Sequence, residues 1–167
     1  MRTQIKIFLT IALSLVMMSC SKDDYVPFVD SLEDLNNTFW EIHTLRCTTY
    51  TAGGELVEDF THDTEDFYRA DGPTPVDLYI NNNTFHWFGW MGVGEYKYLI
   101  YPCEYNPNTH ILKADYTYEV LELSRKNVIL RTIGHNAKYT TVETWHYVPK
   151  RDNDKTWEEW VEFIDSM

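Results

Sequence analysis

Thr117-Tyr118-Glu119-Val120-Leu121-Glu122-Leu123, the turn Arg125-Lys126-Asn127, and then Val128-Ile129-Leu130-Arg131-Thr132-Ile133 decide the fold class. Apolar and polar side chains alternate through Tyr118-Glu119-Val120 and again through Leu121-Glu122-Leu123. A period of two puts successive side chains on opposite faces, the pattern of a strand with one buried face. The second run is β-branched at four of its six positions, and the polar turn between the runs makes an antiparallel hairpin. Gly134-His135-Asn136 then turns the chain into Tyr139 to Val148, where Tyr139, Thr141, Glu143, Trp145 and Tyr147 share one face.

The same grammar extends toward the N-terminus. Thr38 to Thr51 is a first strand, with Trp40 and Ile42 on one face and Glu41 and His43 on the other. Ala52-Gly53-Gly54 turns into Glu55 to Thr61. His62 to Pro75 is polar and ends in Asp71-Gly72-Pro73, so it reads as a loop. Val76 to Ile80 and Thr84 to Met91 flank Asn81-Asn82-Asn83, a tight turn because Asn tolerates a left-handed backbone. Glu95 to Tyr105 is a strand in which Pro102 must end or bulge the pairing, since it has no N–H to donate. Thr109 to Ala114 follows the turn at Tyr105-Asn106-Pro107-Asn108. Before the strands, Ser31 and Asp34 cap a single helical turn carrying Leu32 and Leu35. After them the period changes. Trp157, Trp160, Val161 and Ile164 recur at helical spacing, opposite Glu158, Glu159, Glu162 and Asp165, behind a capping box of Thr156 and Glu159.

About eight short antiparallel strands and one closing amphipathic helix describe an all-β, up-and-down barrel. Between about Leu35 and Lys150 the pattern resembles the bacterial lipocalin-like domains. It does so through Leu35 and Trp40 entering the first strand, the Tyr118–Leu123 hairpin to Val128-Ile129-Leu130, and a closing strand with Tyr139 and Trp145. Lipocalins carry Gly two residues before the first-strand Trp, here Trp40, where this chain has Thr38. The resemblance implies a barrel that holds a small ligand.

The N-terminus carries an address. Arg2 and Lys6 form a short basic start, Ile5 to Met18 runs almost wholly apolar, and small Ser19 stands before Cys20: the pattern of a secretory signal. Met17-Met18-Ser19-Cys20 resembles the lipobox of bacterial lipoproteins, which implies cleavage before Cys20 and lipidation of its thiol. Ser21-Lys22-Asp23-Asp24 resembles the acidic signal that sends some lipoproteins to the outer face of the outer membrane; a solvated charged tether is the plainer alternative. The expected organisation is a signal peptide over residues 1–19, a lipidated tether with a helical turn over 20–34, flexible to about Phe28, and the barrel with its helix over 35–167.

The chain has 14 Lys and Arg against 26 Asp and Glu, and losing Arg2 and Lys6 deepens the net charge from −12 to −14. That balance argues against a nucleic-acid partner, which requires a basic footprint. It also argues against docking on anionic lipid through side chains, so the expected membrane partner is reached through Cys20. Twelve Tyr, eight Phe and six Trp make the chain rich in surfaces for flat ligands. The densest stretch is Trp87-Phe88-Gly89-Trp90-Met91, where Trp87 shares a face with Phe85 and Met91, and Phe88 shares one with Trp90. One set is expected under the C-terminal helix. Trp87, Phe88, Trp90, Tyr96, Tyr98 and Trp145 are the candidate ligand-binding residues, as a platform at the barrel mouth for an apolar or sugar-like ligand.

No motif supports catalysis, a cofactor or a metal. The six histidines lack zinc spacing, and His62 with Asp63, Glu65 and Asp66 lacks the glycine and pattern of a calcium loop. The expectation is therefore a non-enzymatic binding protein. The alternative is an interaction subunit or adhesin with a filled barrel, toward which the bulky inward Trp40, Tyr96, Tyr98, Tyr118 and Trp145 lean. Cys47 and Cys103 are expected to stay unpaired. Their strands face each other across the interior, and alternation from Trp40 and Ile42 points Cys47 outward.

Overall fold

In the computed structural model, residues 27–63, 78–90, 96–150 and 155–166 are described. Among these residues ten strands form one antiparallel sheet: β1 (Thr38–Thr51), β2 (Leu56–Asp63), β3 (Leu78–Asn81), β4 (Thr84–Trp90), β5 (Tyr96–Pro102), β6 (Glu104–Asn106), β7 (Ile111–Lys113), β8 (Thr117–Leu123), β9 (Val128–His135) and β10 (Tyr139–Pro149). The strand order is β5-β4-β3-β1-β10-β9-β8-β7-β6, with β2 also on β1.

The registers reduce these ten to eight. Both β2 and β3 run antiparallel along the same edge of β1: Thr44 to Tyr50 pair with β2, and Thr38 to Trp40 pair with β3. They are two halves of one interrupted strand. β5 and β6 are likewise one strand, broken at Cys103, whose halves pair with β4 and β7. Pro102 is the last residue paired with β4, as a residue without an N–H requires. The bend makes β5 and β6, the two ends of the strand order, adjacent in the chain. The sheet therefore rolls into a nearly closed up-and-down barrel, with β10 on β1 completing the turn. The all-β barrel with a C-terminal helix expected from the alternation is the observed fold.

Turn chemistry fixes the hairpins. Asn82 and Asn83 both take left-handed backbone, φ 48° and 54°, the two-residue turn whose twist matches the flanking strands. Gly54 takes φ 85° between β1 and β2. Ser124 Oγ accepts from the N–H groups of Lys126 and Asn127, both at 3.1 Å. The Asn106 carboxamide accepts from the N–H of Asn108 at 3.0 Å, and the Asn136 carboxamide from that of Lys138 at 2.9 Å.

One end of the barrel is plugged. Leu32 to Leu35 form a single 3-10 turn, capped by Ser31 Oγ accepting from Glu33 N–H at 3.2 Å, one residue earlier than the expected Asp34. Leu32 and Leu35 pack with Trp40, Leu78, Ile80, Leu112, Leu123 and Val128 into the core. Thr38 ties this floor together. Its hydroxyl accepts from Trp40 Nε1 at 2.8 Å and donates to the Leu35 carbonyl. The chain also reaches the floor earlier than expected. Leu123 N–H donates to the Pro27 carbonyl at 2.8 Å and Val29 N–H to the Leu123 carbonyl at 2.7 Å, so residues 27–29 lie along β8 and are not free tether. They take the edge of β8 that the short β7 leaves unpaired.

The closing helix, α1 (Trp157–Asp165), carries the expected capping box: Thr156 N–H donates to Glu159 at 2.7 Å and Glu159 N–H to Thr156 Oγ1 at 3.2 Å. It covers the outer face of β3 and β4. Trp157 stacks on Tyr79 with centroids 5.0 Å apart and meets His86 edge-on at 4.4 Å, while Trp160 is buried. Ile164's side chain, the signal and tether residues 1–26, most of the expected loop of 62–75, and Met91 lie outside the described set.

Candidate functional site: a cavity open at one end of the barrel

The site is built on β10. Alternation along it sends Thr141, Glu143, Trp145 and Tyr147 inward, as the sequence indicates. Opposite them on β1 stand Thr49, Cys47, Leu45 and Ile42. This set requires a change of parity, because Ile42 and Leu45 are three residues apart. The register shifts between Ile42 and Thr44, so His43 is an extra residue that the ladder accommodates as a bulge. Cys47 accordingly points inward and is buried. The outward Cys47 expected from uninterrupted alternation is corrected by that one residue. Both cysteines are free. Burial, then the charges of Glu143 and Glu58, push the Cys47 thiol above its ordinary range, and burial pushes Cys103 up to about 12.

The inward faces enclose a cavity of about 550 Å³. Its floor is Leu78, Phe85, Leu130 and Tyr147, all part of the packed core. Trp87, Tyr101, Tyr118 and Trp145 stand along its walls. Its mouth is at Asp115, Tyr116, Thr117, Ile133 and Gly134, all exposed. The barrel is therefore not filled, and the leaning toward a packed interior is corrected. Trp40 is fully buried within the floor core, and the inward positions near the mouth are small: Thr117, Thr132, Gly134 and Thr141. Bulk is concentrated at one end, and space is left at the other.

Polar groups are few and placed. Tyr118 donates its hydroxyl to Asp115 Oδ1 at 2.9 Å, and burial, reinforced by that carboxylate, holds Tyr118 well above the usual tyrosine range. Trp145 and Tyr147 lie parallel, 10° between planes and 6.4 Å between centroids. Glu143 is half-buried on the wall.

Of the six ligand residues named from sequence, Trp87 and Trp145 line the cavity. Phe88, Trp90, Tyr96 and Tyr98 lie on β4 and β5, where the register pairs Phe88 with Tyr98 and Trp90 with Tyr96 at the mouth end; their side chains lie outside the described set. Sequence reasoning missed Asp115, Tyr116, Tyr101, Tyr118 and Glu143 as cavity-lining residues. Glu143 was visible on the inward face of β10, where a carboxylate among aromatics is the signal. His62 and Asp63 end β2, whereas Glu65 and Asp66 lie outside the described residues.

No protein-family model matches the sequence, and neither does any curated protein sequence. Among solved structures, the chain is similar to bovine odorant binding protein in its complex with undecanal, with a TM-score of 0.44 and 16% identity over 85% of this chain and 88% of that one.

Proposed function

We propose that this protein is a lipid-anchored binding protein of the outer membrane, exposed at the cell surface, whose barrel holds one small, largely apolar ligand without chemical change. The observation that carries the binding reading is the cavity of about 550 Å³, closed by a core floor, walled by aromatic rings and open at one end. That size and lining suit a small molecule. The alternative of an adhesin or structural subunit with a filled barrel loses its premise. The anchor reading draws on Cys20, and the surface reading on Ser21-Lys22-Asp23-Asp24.

The anchor and the cavity fit one arrangement. Residues 27–29 join the barrel beside Leu123, at the floor end of β8, while Thr117 at the other end of that strand lines the mouth. Six residues of strand put the two about 20 Å apart. Seven residues from Cys20 to Pro27 span at most about 25 Å. The lipid therefore holds the floor near the membrane and leaves the mouth accessible to solvent.

Titration of the mature chain with N-phenyl-1-naphthylamine tests the binding reading. One saturable site is expected, and Thr132→Trp, which fills the cavity from its wall, should abolish it. No saturable binding, or binding that survives Thr132→Trp, would refute the reading. For the anchor, Cys20→Ala should release the protein from membranes, because acyl chains contribute about 0.8 kcal/mol per buried methylene and the acidic surface offers no substitute. Continued fractionation with membranes would reject lipidation. Asp23→Ala with Asp24→Ala should protect the lipidated protein from protease added to whole cells, and unchanged cleavage would remove the export role.

A further inference from the structure

We infer that the cavity selects an organic cation, a protonated amine or quaternary ammonium carried on a flat apolar body. The inference rests on the binding reading and narrows its ligand class. Two carboxylates face the cavity: Asp115 at the mouth and Glu143 on the β10 wall. The described lining residues include no Lys, Arg or His. Among the described residues neither carboxylate is in an ion pair. Arg131, between lining residues Leu130 and Thr132, is on the outer face and holds Glu119 at 2.5 Å. Arg46 holds Asp59 at 2.7 Å, and Lys150 holds Glu41 at 3.3 Å.

Uncompensated carboxylates beside low-dielectric walls focus a negative potential into the cavity. An anionic ligand would be repelled there, whereas a cation supplies the missing charge. The rings act in the same direction. Trp87, Trp145, Tyr118 and Tyr147 present π-faces or edges to the space, and an aromatic face attracts a cation through its quadrupole. Tyr118 adds orientation. Its hydroxyl donates a hydrogen bond to Asp115 Oδ1, which fixes the carboxylate at the mouth with its other oxygen able to accept from an ammonium. Below, Leu78, Phe85 and Leu130 offer only apolar surface, suited to the uncharged part of the same molecule.

Three indoles of similar size and different charge test this by calorimetry on the unlipidated mature chain at pH 7 and low salt: tryptamine, 3-ethylindole and indole-3-propionate. Tryptamine should bind about tenfold more tightly than 3-ethylindole, the scale of one charge contact plus cation–π attraction, with indole-3-propionate weakest. The advantage should shrink with added salt. In the double variant Asp115→Asn, Glu143→Gln the ratio of tryptamine to 3-ethylindole affinity should fall to near parity. If 3-ethylindole binds in the cavity and tryptamine binds no better, the cation inference falls and the binding reading stands. A tryptamine advantage that persists in the double variant also overturns the inference. If none of the three binds, the binding reading falls with it.

Discussion

Replacing Thr38 by Val removes one hydroxyl and little else. Valine keeps the β-branched shape, so strand preference and packing volume are nearly unchanged. The hydroxyl serves two partners at the floor of the barrel. It accepts from the indole N–H of Trp40, a residue with no exposed surface, and it donates to the carbonyl of Leu35, equally buried. Leaving one buried donor without an acceptor costs about 1–3 kcal/mol, and the lost bond to the carbonyl adds about 1. We expect Thr38→Val to lower stability by about 3 kcal/mol. With a urea m-value of about 2 kcal/mol/M for a domain of this size, the midpoint should fall by about 1.5 M. Tryptophan fluorescence during urea unfolding at pH 7 measures it. Thr38→Ser, which restores the hydroxyl, should recover most of the loss. A valine variant within about 0.5 kcal/mol of wild type, at unchanged m-value, would refute the claim that this hydroxyl holds the floor.

Trp160→Ala should cost about 3 kcal/mol if α1 is docked as described, since truncating a buried Trp loses both transfer and packing energy; an unchanged melting temperature would show the helix undocked. Stability should fall as pH drops from 7.5 to 5.5. His86, half-buried under Trp157, and His146, half-buried beside His43, both have folded pKa values pushed below the ordinary histidine value by desolvation. The unfolded chain therefore takes up protons first, so the stability these neutral rings contribute is full above about 6.5 and is lost below it; a flat profile in the double variant His86→Gln, His146→Gln would tie the effect to them, and an unaltered slope would not. Thiol counting on denatured, unreduced mature chain lacking Cys20 should find two free thiols, with Cys103 unreactive in the native protein because its thiol is pushed up to about 12; zero free thiols would mean a disulfide between β1 and the bend after Pro102.

The features legible in the sequence are those with local causes. The Asn82-Asn83 turn, the box of Thr156 and Glu159, the end of pairing at Pro102 and the inward face of β10 each follow from a few neighbouring residues, and each is observed. What was hidden depends on contacts made across the fold. The bulge at His43 leaves no mark in the apolar pattern, because Ile42 and Leu45 are both apolar and either parity reads as a strand; it takes the pairing with Trp145 and Tyr147 to reveal the shift. The cavity was misjudged because large residues were counted without their height along the barrel. Trp40 belongs to the floor, and Thr132, Gly134 and Thr141 leave the other end open. Asp115 and Tyr116 lie in the turn between β7 and β8, where sequence has no period to say that a side chain faces inward.

The central claim is that the ligand site is the interior, reached past Asp115 and Gly134. The chain offers its own reporters, because its tryptophans lie in distinct places. Trp87 and Trp145 line the cavity, Trp40 lies in the floor core, and Trp157 and Trp160 belong to the outer helix. In an amide and indole nitrogen–proton spectrum, assigned with Trp87→Phe and Trp145→Phe, titration with 3-ethylindole should move the indole signals of Trp87 and Trp145 together, in a one-site curve, and leave Trp157 and Trp160 in place. Signals that move at Trp157 and Trp160 while Trp87 and Trp145 stay still would put the binding surface on the outside of the barrel and contradict the account.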